Sequence, residues 1–172
     1  MKNALRHRSI FLSAIVVLTT LACGAVPSGG VSSAASSTST SKGESEAERC
    51  LAVADAKRQR KPSEPDRISV KHVLVKYAGA KRAPETVTRT REQACLRAAE
   101  ALTKLKEGMS FAEVVRLYSE ESGAATRDGS IGAIERTDVA PPFADAAFEL
   151  GLREVSEVVE TPFGFHLILR FE

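Results

Sequence analysis

The sequence lacks the signatures of several common kinds of functional site. Its cysteines and histidines do not have the spacing of metal ligands, and no glycine-rich loop could cradle a phosphate, so we expect neither metal nor cofactor. Once Lys2, Arg6 and Arg8 are set aside with the first 22 residues, 21 basic residues face 22 acidic ones. Nucleic-acid-binding proteins normally carry a basic surplus, so we expect no nucleic-acid partner. No repeat or coiled coil suggests an oligomer, and we expect a monomer.

The N-terminal segment has the pattern of an export signal. Basic residues precede the apolar run IFLSAIVVL, and residues 10–22 are too few to span a bilayer comfortably as a permanent helix. The following TTLACG resembles a bacterial lipobox. We therefore expect residues 1–22 to be a lipoprotein signal peptide and Cys23 to be the lipid attachment site. The protein would be exported and anchored on the periplasmic side of the cell envelope; the alternative is a simple secretory signal with an incidental cysteine.

Residues 23–66 are predicted to be a tether. Residues 24–43 are Ser/Gly/Ala-rich and cannot bury enough apolar surface to fold. Residues 44–60 favour a helix, either solvated or docked, with Ser45 and Glu48 as a capping pair. Cys50 and Cys95 could pair in an oxidising compartment. Because one precedes the predicted domain and the other lies on a predicted helix, we expect them to remain unpaired.

Residues 67–172 are predicted to form one α+β domain in the order β-α-α-β-α-β-β. Its first strand, 68–76, is apolar on both faces, as in the centre of a sheet, yet contains His72. Capping pairs, Thr90 with Gln93 and Ser110 with Glu113, start two helices, and Pro141-Pro142 fit the start of a third. The predicted closing strands, 155–160 and 165–171, must be antiparallel because their connection is short.

Six motifs in this domain together resemble the parvulin-type (PpiC) peptidyl-prolyl cis–trans isomerases: HVLVK, LKEG, SFAEVVRLYSEES, GSIGAI, PPFADAAFEL and TPFGFH. The resemblance implies a parvulin-like, FKBP-like fold, a four-stranded antiparallel sheet wrapped by helices. It also implies an isomerase that acts on proline-containing polypeptides. Such an enzyme needs no nucleophile or metal, because it has only to favour the twisted amide.

The resemblance assigns a proline pocket to Ile131, Val139, Phe143 and Phe163. The alternative is that such apolar residues are ordinary core. Val139 stands where a larger Met or Leu is usual, which implies a wider pocket. Ala140 replaces a polar residue that is common in some members, so one substrate hydrogen bond is not expected.

The resemblance also implies a polar centre made of His72, Glu121, Thr161 and His166. The two histidines would face each other from neighbouring strands, with Thr161 in their hydrogen-bond network. They would act as a scaffold, or alternatively in acid–base catalysis. Glu121 stands where Asp or Cys is usual, and Glu120 or Asp128 could take its place; a solvated loop carboxylate is the remaining alternative.

Lys76, Lys81 and Arg82 match basic positions of the parvulins directed to phosphoserine/threonine-proline. They would bind an anionic residue before the proline, whether phosphorylated or acidic. A solvated charged loop and anionic envelope components are alternatives. For the whole chain, we expect an isomerase of exported proteins; a non-catalytic, chaperone-like module and a structural envelope lipoprotein are the competing hypotheses.

Overall fold

The computed structural model of the protein describes residues 44–172. The signal peptide, Cys23 and most of the tether predicted from the sequence lie outside the described residues. The elements are, in chain order, α1 (Glu46–Ala54), β1 (Ile68–Val75), α2 (Arg91–Lys106), α3 (Phe111–Tyr118), β2 (Ser130–Ile134), α4 (Pro141–Glu149), β3 (Val159–Thr161) and β4 (Gly164–Arg170). Short 3-10 turns at Ala125–Arg127 and Arg136–Asp138 flank β2. None of the helices in residues 44–172 has the length and hydrophobicity needed to cross a membrane.

The four strands form one antiparallel sheet in the spatial order β2-β1-β4-β3. This confirms the α+β class and the predicted element order. The two long strands, β1 and β4, lie in the centre, where neighbours satisfy both of their edges. The short strands β2 and β3 form the edges, which is how sheets limit pairing with other chains.

Successive residues of the central strands point to opposite faces of the sheet. Val73 and Val75 of β1, with Phe165 and Leu167 of β4, pack into a core beneath α1, α2 and α3. We call this the three-helix face. On the other face, Ile68, Val70 and Ile168 pack against α4. We call this the single-helix face; it also carries His72 and His166, which are 5% and 4% exposed.

The prediction that Cys50 and Cys95 remain unpaired is wrong, because they form a disulfide with Cα atoms 6.0 Å apart. Helix α1 docks on α2, so that both cysteines belong to the core of the three-helix face. The predicted capping box of α1 is present, since Ser45 and Glu48 bond each other's backbone N–H groups. The helix nevertheless ends at Ala54 and not near residue 60. The segment from Asp55 to Pro65 then runs irregularly to β1.

The predicted strand at 155–160 is also shorter than expected, since β3 covers only Val159–Thr161. Ser156 accounts for the difference. Its N–H donates to the carbonyl of Ile168 at 2.8 Å, and its hydroxyl accepts the N–H of Ile168 at 2.9 Å. A side-chain oxygen therefore replaces the carbonyl that a regular ladder would present, and the residues just before Val159 follow β4 without forming a strand.

Candidate active site

A cleft of about 460 Å³ opens on the single-helix face, between α4, the end of β1 and the β3–β4 turn. Most of the residues that the sequence assigned to a site line it. They are His72, Lys81, Glu121, Ile131, Val139, Phe143, Thr161, Phe163 and His166. The structure thus brings together residues that span 94 positions of the chain.

A β-bulge carries Ile131 into this cleft. Val70 pairs with Gly132 while Lys71 pairs with Ser130, so Ile131 is an extra residue without a partner on β1. The loop before it lies tightly against β1: the His72 N–H donates to the carbonyl of Gly129 at 2.8 Å. A Cβ atom at Gly129 would lie 2.5 Å from the His72 carbonyl oxygen, and its φ is +74°. Glycine is therefore required there.

The polar centre is a continuous chain of hydrogen bonds. His72 Nε2 lies 2.8 Å from Glu121 Oε2, and His72 Nδ1 lies 3.2 Å from His166 Nδ1. On the far side, His166 Nε2 lies 2.8 Å from Thr161 Oγ1, which also accepts the N–H of Phe163 at 3.1 Å. The two imidazole rings are nearly parallel, with centroids 5.4 Å apart.

The direction of the hydrogen bonds follows from Glu121, the acceptor at one end of the chain. An ionised Glu121 can only accept, so His72 carries a proton on Nε2 and, when neutral, accepts on Nδ1. His166 must then donate from Nδ1 and accept on Nε2, where the Thr161 hydroxyl donates. With two neutral histidines, this arrangement pairs every atom of the chain. The network is thus satisfied without a bound ligand.

The electrostatics of the site favour an ionised Glu121 and a neutral His166. The hydrogen bond from His72, with added attraction from Arg127, holds the pKa of Glu121 below its usual value despite partial burial. Burial lowers the pKa of His166 well below its usual value, and the neighbouring His72 lowers it further. The centre therefore combines a carboxylate with a buried neutral imidazole.

The structure distinguishes between the three acids considered for this position. Glu120 accepts the Lys76 N–H at 2.7 Å and pairs with Arg89 at 2.6 Å, which fixes the end of β1. Asp128 lies 3.7 Å from Arg116. Only Glu121 reaches His72, so Glu120 and Asp128 do not take its place.

Phe143 forms the wall above the histidines. Its ring meets His72 and His166 edge to face, with centroid distances of 5.7 and 5.3 Å. Val139 and Ile131 are partly buried beside it and leave part of their apolar surface in the cleft. Phe163, on the β3–β4 turn, closes the other end.

The three predicted cations do not share one position. Lys81 lines the cleft, with Nζ 5.2 Å from the centroid of the Phe163 ring, and its N–H donates to the Pro162 carbonyl at 2.7 Å. The Arg82 guanidinium lies 5.6 Å from the same ring. Lys76 instead donates to the Arg82 carbonyl at 3.1 Å and so holds the loop. Neither Arg82 nor Lys76 lines the cleft itself.

Sequence reasoning missed three residues with a place at the site. Asp138 and Pro162 line the cleft, and Arg127 pairs with Glu121 while its Nε donates to the Ser130 carbonyl at 2.8 Å. Pro162 and Asp138 adjoin Phe163 and Val139, so proximity along the chain could have indicated them. Arg127 has no such signal. Within residues 44–172, no group of three His, Cys, Asp or Glu side chains could hold a metal ion.

Comparison with known proteins places this arrangement in a family. The sequence pattern of the PPIC-type PPIase domain matches residues 55–172. The peptidyl-prolyl cis–trans isomerase pin1 of Schizosaccharomyces pombe is 35% identical over 112 residues, which cover 63% of this chain and 64% of that protein. The foldase protein PrsA of Halalkalibacterium halodurans is 40% identical over 72 residues, which cover 42% of this chain and 22% of that protein.

The same likeness is found among solved structures. The crystal structure of the PPIase domain of TbPar42 superimposes with a TM-score of 0.55 at 39% sequence identity, and the match covers 61% of this chain and 99% of that one. The chain thus spans a whole solved PPIase domain but less than two thirds of the length of these two relatives.

Proposed function

The chain belongs to the PPIC-type peptidyl-prolyl cis–trans isomerase family, and on that premise we propose that its cleft accelerates isomerisation of Xaa-Pro bonds in polypeptides. One observation carries the proposal. The floor of the cleft is a self-satisfied pair of histidines beneath an aromatic wall, an apolar pocket with polar groups on one side only. Such a site can hold a proline ring and need not form a covalent bond to it.

Rotation about a peptide bond is opposed by a barrier of about 18–20 kcal/mol that comes from amide conjugation. Both isomers are populated before proline, so only the rate has to change. In our proposal, Phe143, Val139 and Ile131 hold the ring while the preceding residue turns. The twisted amide is less conjugated, and a water-poor pocket shaped for it lowers the barrier.

The polar centre would act mainly by shape and charge. The histidines, with Thr161, form a rigid floor whose donors and acceptors are already used. Glu121 is the carboxylate that contacts this floor. Its negative charge would interact with the altered charge distribution of the amide as the amide twists. Arg127 would hold Glu121 in place.

We further propose that the enzyme prefers an acidic or phosphorylated residue before the proline. Lys81 lies in the cleft, and Arg82 lies beside it on the same aromatic ring. Neither has a carboxylate partner among the described residues, whereas Lys76 serves the loop. A carboxylate or phosphate bound here would gain charge-assisted hydrogen bonds from two cations.

Export and lipid anchoring through Cys23 are part of the same proposal. The disulfide supports export, because such bonds persist in oxidising compartments. The similarity to a protein named foldase PrsA supports clients among exported polypeptides. The clients would then be proline-containing proteins that fold in the cell envelope.

Exchange NMR on short peptides tests both parts of the proposal. We expect the protein to accelerate exchange in Glu-Pro, phosphoSer-Pro and Leu-Pro peptides, with the first two favoured. Replacing Lys81 and Arg82 by Gln should reduce this preference at least about tenfold while Leu-Pro exchange is retained, since even one hydrogen bond to a charged group contributes roughly 1.5–3 kcal/mol. Replacing Lys104 and Lys106 of α2 by Gln removes the same number of charges and is the control.

Equal rates for acidic and apolar peptides would contradict the preference alone. No acceleration with any peptide would contradict the isomerase. If the protein still suppressed aggregation of unfolded clients, that second result would favour a chaperone-like binding module.

A further inference from the structure

The segment between α1 and β1, read from the sequence as tether, is fastened to the wall of the cleft. Its Glu64 side chain is only 4% exposed, which is rare for a carboxylate unless it is paired. Glu64 Oε1 accepts the Lys61 N–H at 2.8 Å. Glu64 Oε2 accepts two hydrogen bonds from Arg136, at 2.9 Å from Nε and 2.7 Å from Nη2.

Arg136 is held on every side. Its remaining terminal nitrogen, Nη1, donates to Asp145 of α4 at 2.7 Å. Its guanidinium also lies over the ring of Phe148, 5.1 Å from the centroid. All three nitrogens of the planar group are thus used, which fixes its direction as well as its position.

This fixed side chain belongs to the turn that leads into the cleft wall. Arg136 begins the 3-10 turn Arg136–Asp138, which the Asp138 carboxylate closes by accepting the Glu135 N–H at 2.8 Å. Val139 and Ala140 follow at once and line the cleft. The carbonyl of Ala140 then accepts the first hydrogen bond of α4, the helix that carries Phe143.

We propose that Glu64 is a positioning residue for the proline pocket, acting through Arg136 on the wall at Val139 and Ala140. The inference rests on the proposed function of the cleft. It makes residues 55–65 part of the enzyme, because an N-terminal segment sets how closely the pocket fits the ring. A loosened wall weakens binding of the proline in the substrate complex and in the transition state alike. KM should therefore rise while kcat stays nearly unchanged.

The test compares Glu64→Gln with Glu149→Gln in the full chain. Both are measured at a temperature well below the midpoint of thermal unfolding of each variant. Glu149 also ties this segment to α4, through Arg58 at 3.8 Å, but it does not contact the turn. We expect Glu64→Gln to raise KM for Xaa-Pro peptides about fivefold with kcat within about twofold, because a displaced wall weakens binding of the substrate and of the transition state equally. Glu149→Gln should leave both constants unchanged.

Arg136→Lys supplies a second route to the same result if Glu64→Gln folds poorly. Lysine keeps the charge but cannot bind Glu64 and Asp145 at once. The double variant should have nearly the KM of either single variant, because both remove one connection. Additive effects, or a KM change no larger than that of Glu149→Gln, would overturn the positioning role.

Methyl NMR of Val139 and Ala140 gives a readout that does not depend on catalysis. Their signals should move in Glu64→Gln and Arg136→Lys and stay in place in Glu149→Gln. Movement in a protein whose wild type neither binds nor isomerises the peptides would contradict the proposed function and support the connection. Unmoved signals in an active enzyme would contradict the connection itself.

Discussion

The two faces of the sheet are built from the same two strands but do different work. The three-helix face is closed by α1, α2 and α3 and by a disulfide, and its core is apolar throughout. The single-helix face has only the nine residues of α4 to cover it, so the histidines at its centre lie partly under Phe143 and partly at the cleft. Side chains alternate between the two faces along β1 and β4. His72 therefore lies on the single-helix face, while the adjacent Val73 lies on the three-helix face. Covering one face completely is what allows the other to remain open.

The largest expected effect comes from truncating one buried side chain on each face of the sheet. Phe143→Ala should lower the free energy of unfolding by about 3–5 kcal/mol and Leu102→Ala by about 2–5 kcal/mol, since both remove a large buried side chain. Only Phe143→Ala should lower kcat/KM, by about a hundredfold or more, because it also removes the pocket wall. Urea unfolding and peptide exchange measured on the same samples make the comparison. A similar loss of kcat/KM in Leu102→Ala would show that the faces are not separable.

The disulfide gives the next effect, confined to the three-helix face. Replacing both Cys50 and Cys95 by Ser should cost about 2–4 kcal/mol of stability, because the unfolded chain regains the freedom of a long loop. Thermal unfolding with and without reductant measures this for the wild type, and the double variant should be insensitive to reductant. At temperatures where both proteins are folded, kcat/KM should be unchanged. A loss of activity on reduction would mean that α1 also supports the cleft.

A smaller effect comes from protons and belongs to the single-helix face. The pKa of His166 is held well below its usual value of 6.5 by burial and then by His72, so below pH 6.5 the unfolded chain binds a proton that the folded chain does not. Stability should therefore fall as pH drops below 6.5, approaching about 1.4 kcal/mol per pH unit for one proton. The lowered pKa of Glu121 should add to the loss only below about pH 4.5.

Urea unfolding at a series of pH values from 7 to 5 measures this slope. His166→Asn should be less stable at pH 7 but should lose the part of the slope that comes from His166. A slope that is the same in His166→Asn and the wild type would show that other groups are responsible.

Features that depend on neighbours along the chain could be predicted from sequence. The capping boxes at Thr90 and Ser110, the proline start of α4 and the alternation along β1 all depend on local spacing, and the structure has each of them. The cleft residues could be assembled because six motifs resemble one family, which supplies their arrangement in space.

Features that depend on contact between distant segments could not be predicted. Cys50 and Cys95 are 45 positions apart, and Glu64 and Arg136 are 72 apart. Nothing in either local sequence reveals its partner, and the charged, proline-containing stretch around Glu64 has the composition of a linker. Ser156 is a related case, since its hydroxyl replaces a strand carbonyl only where β4 runs beside it. Such contacts exist only once the fold is formed.

The disulfide also decides how the domain would carry a mechanical load. A pull on the chain before Cys50 passes across the sulfur–sulfur bond into α2, the longest helix of the described chain. Residues 51–94, with the segment around Glu64 and the whole of β1, lie within the closed loop, so the covalent path of that force bypasses them. A pull on the N-terminal end would thus reach the rest of the domain without first straightening the segment that borders the pocket.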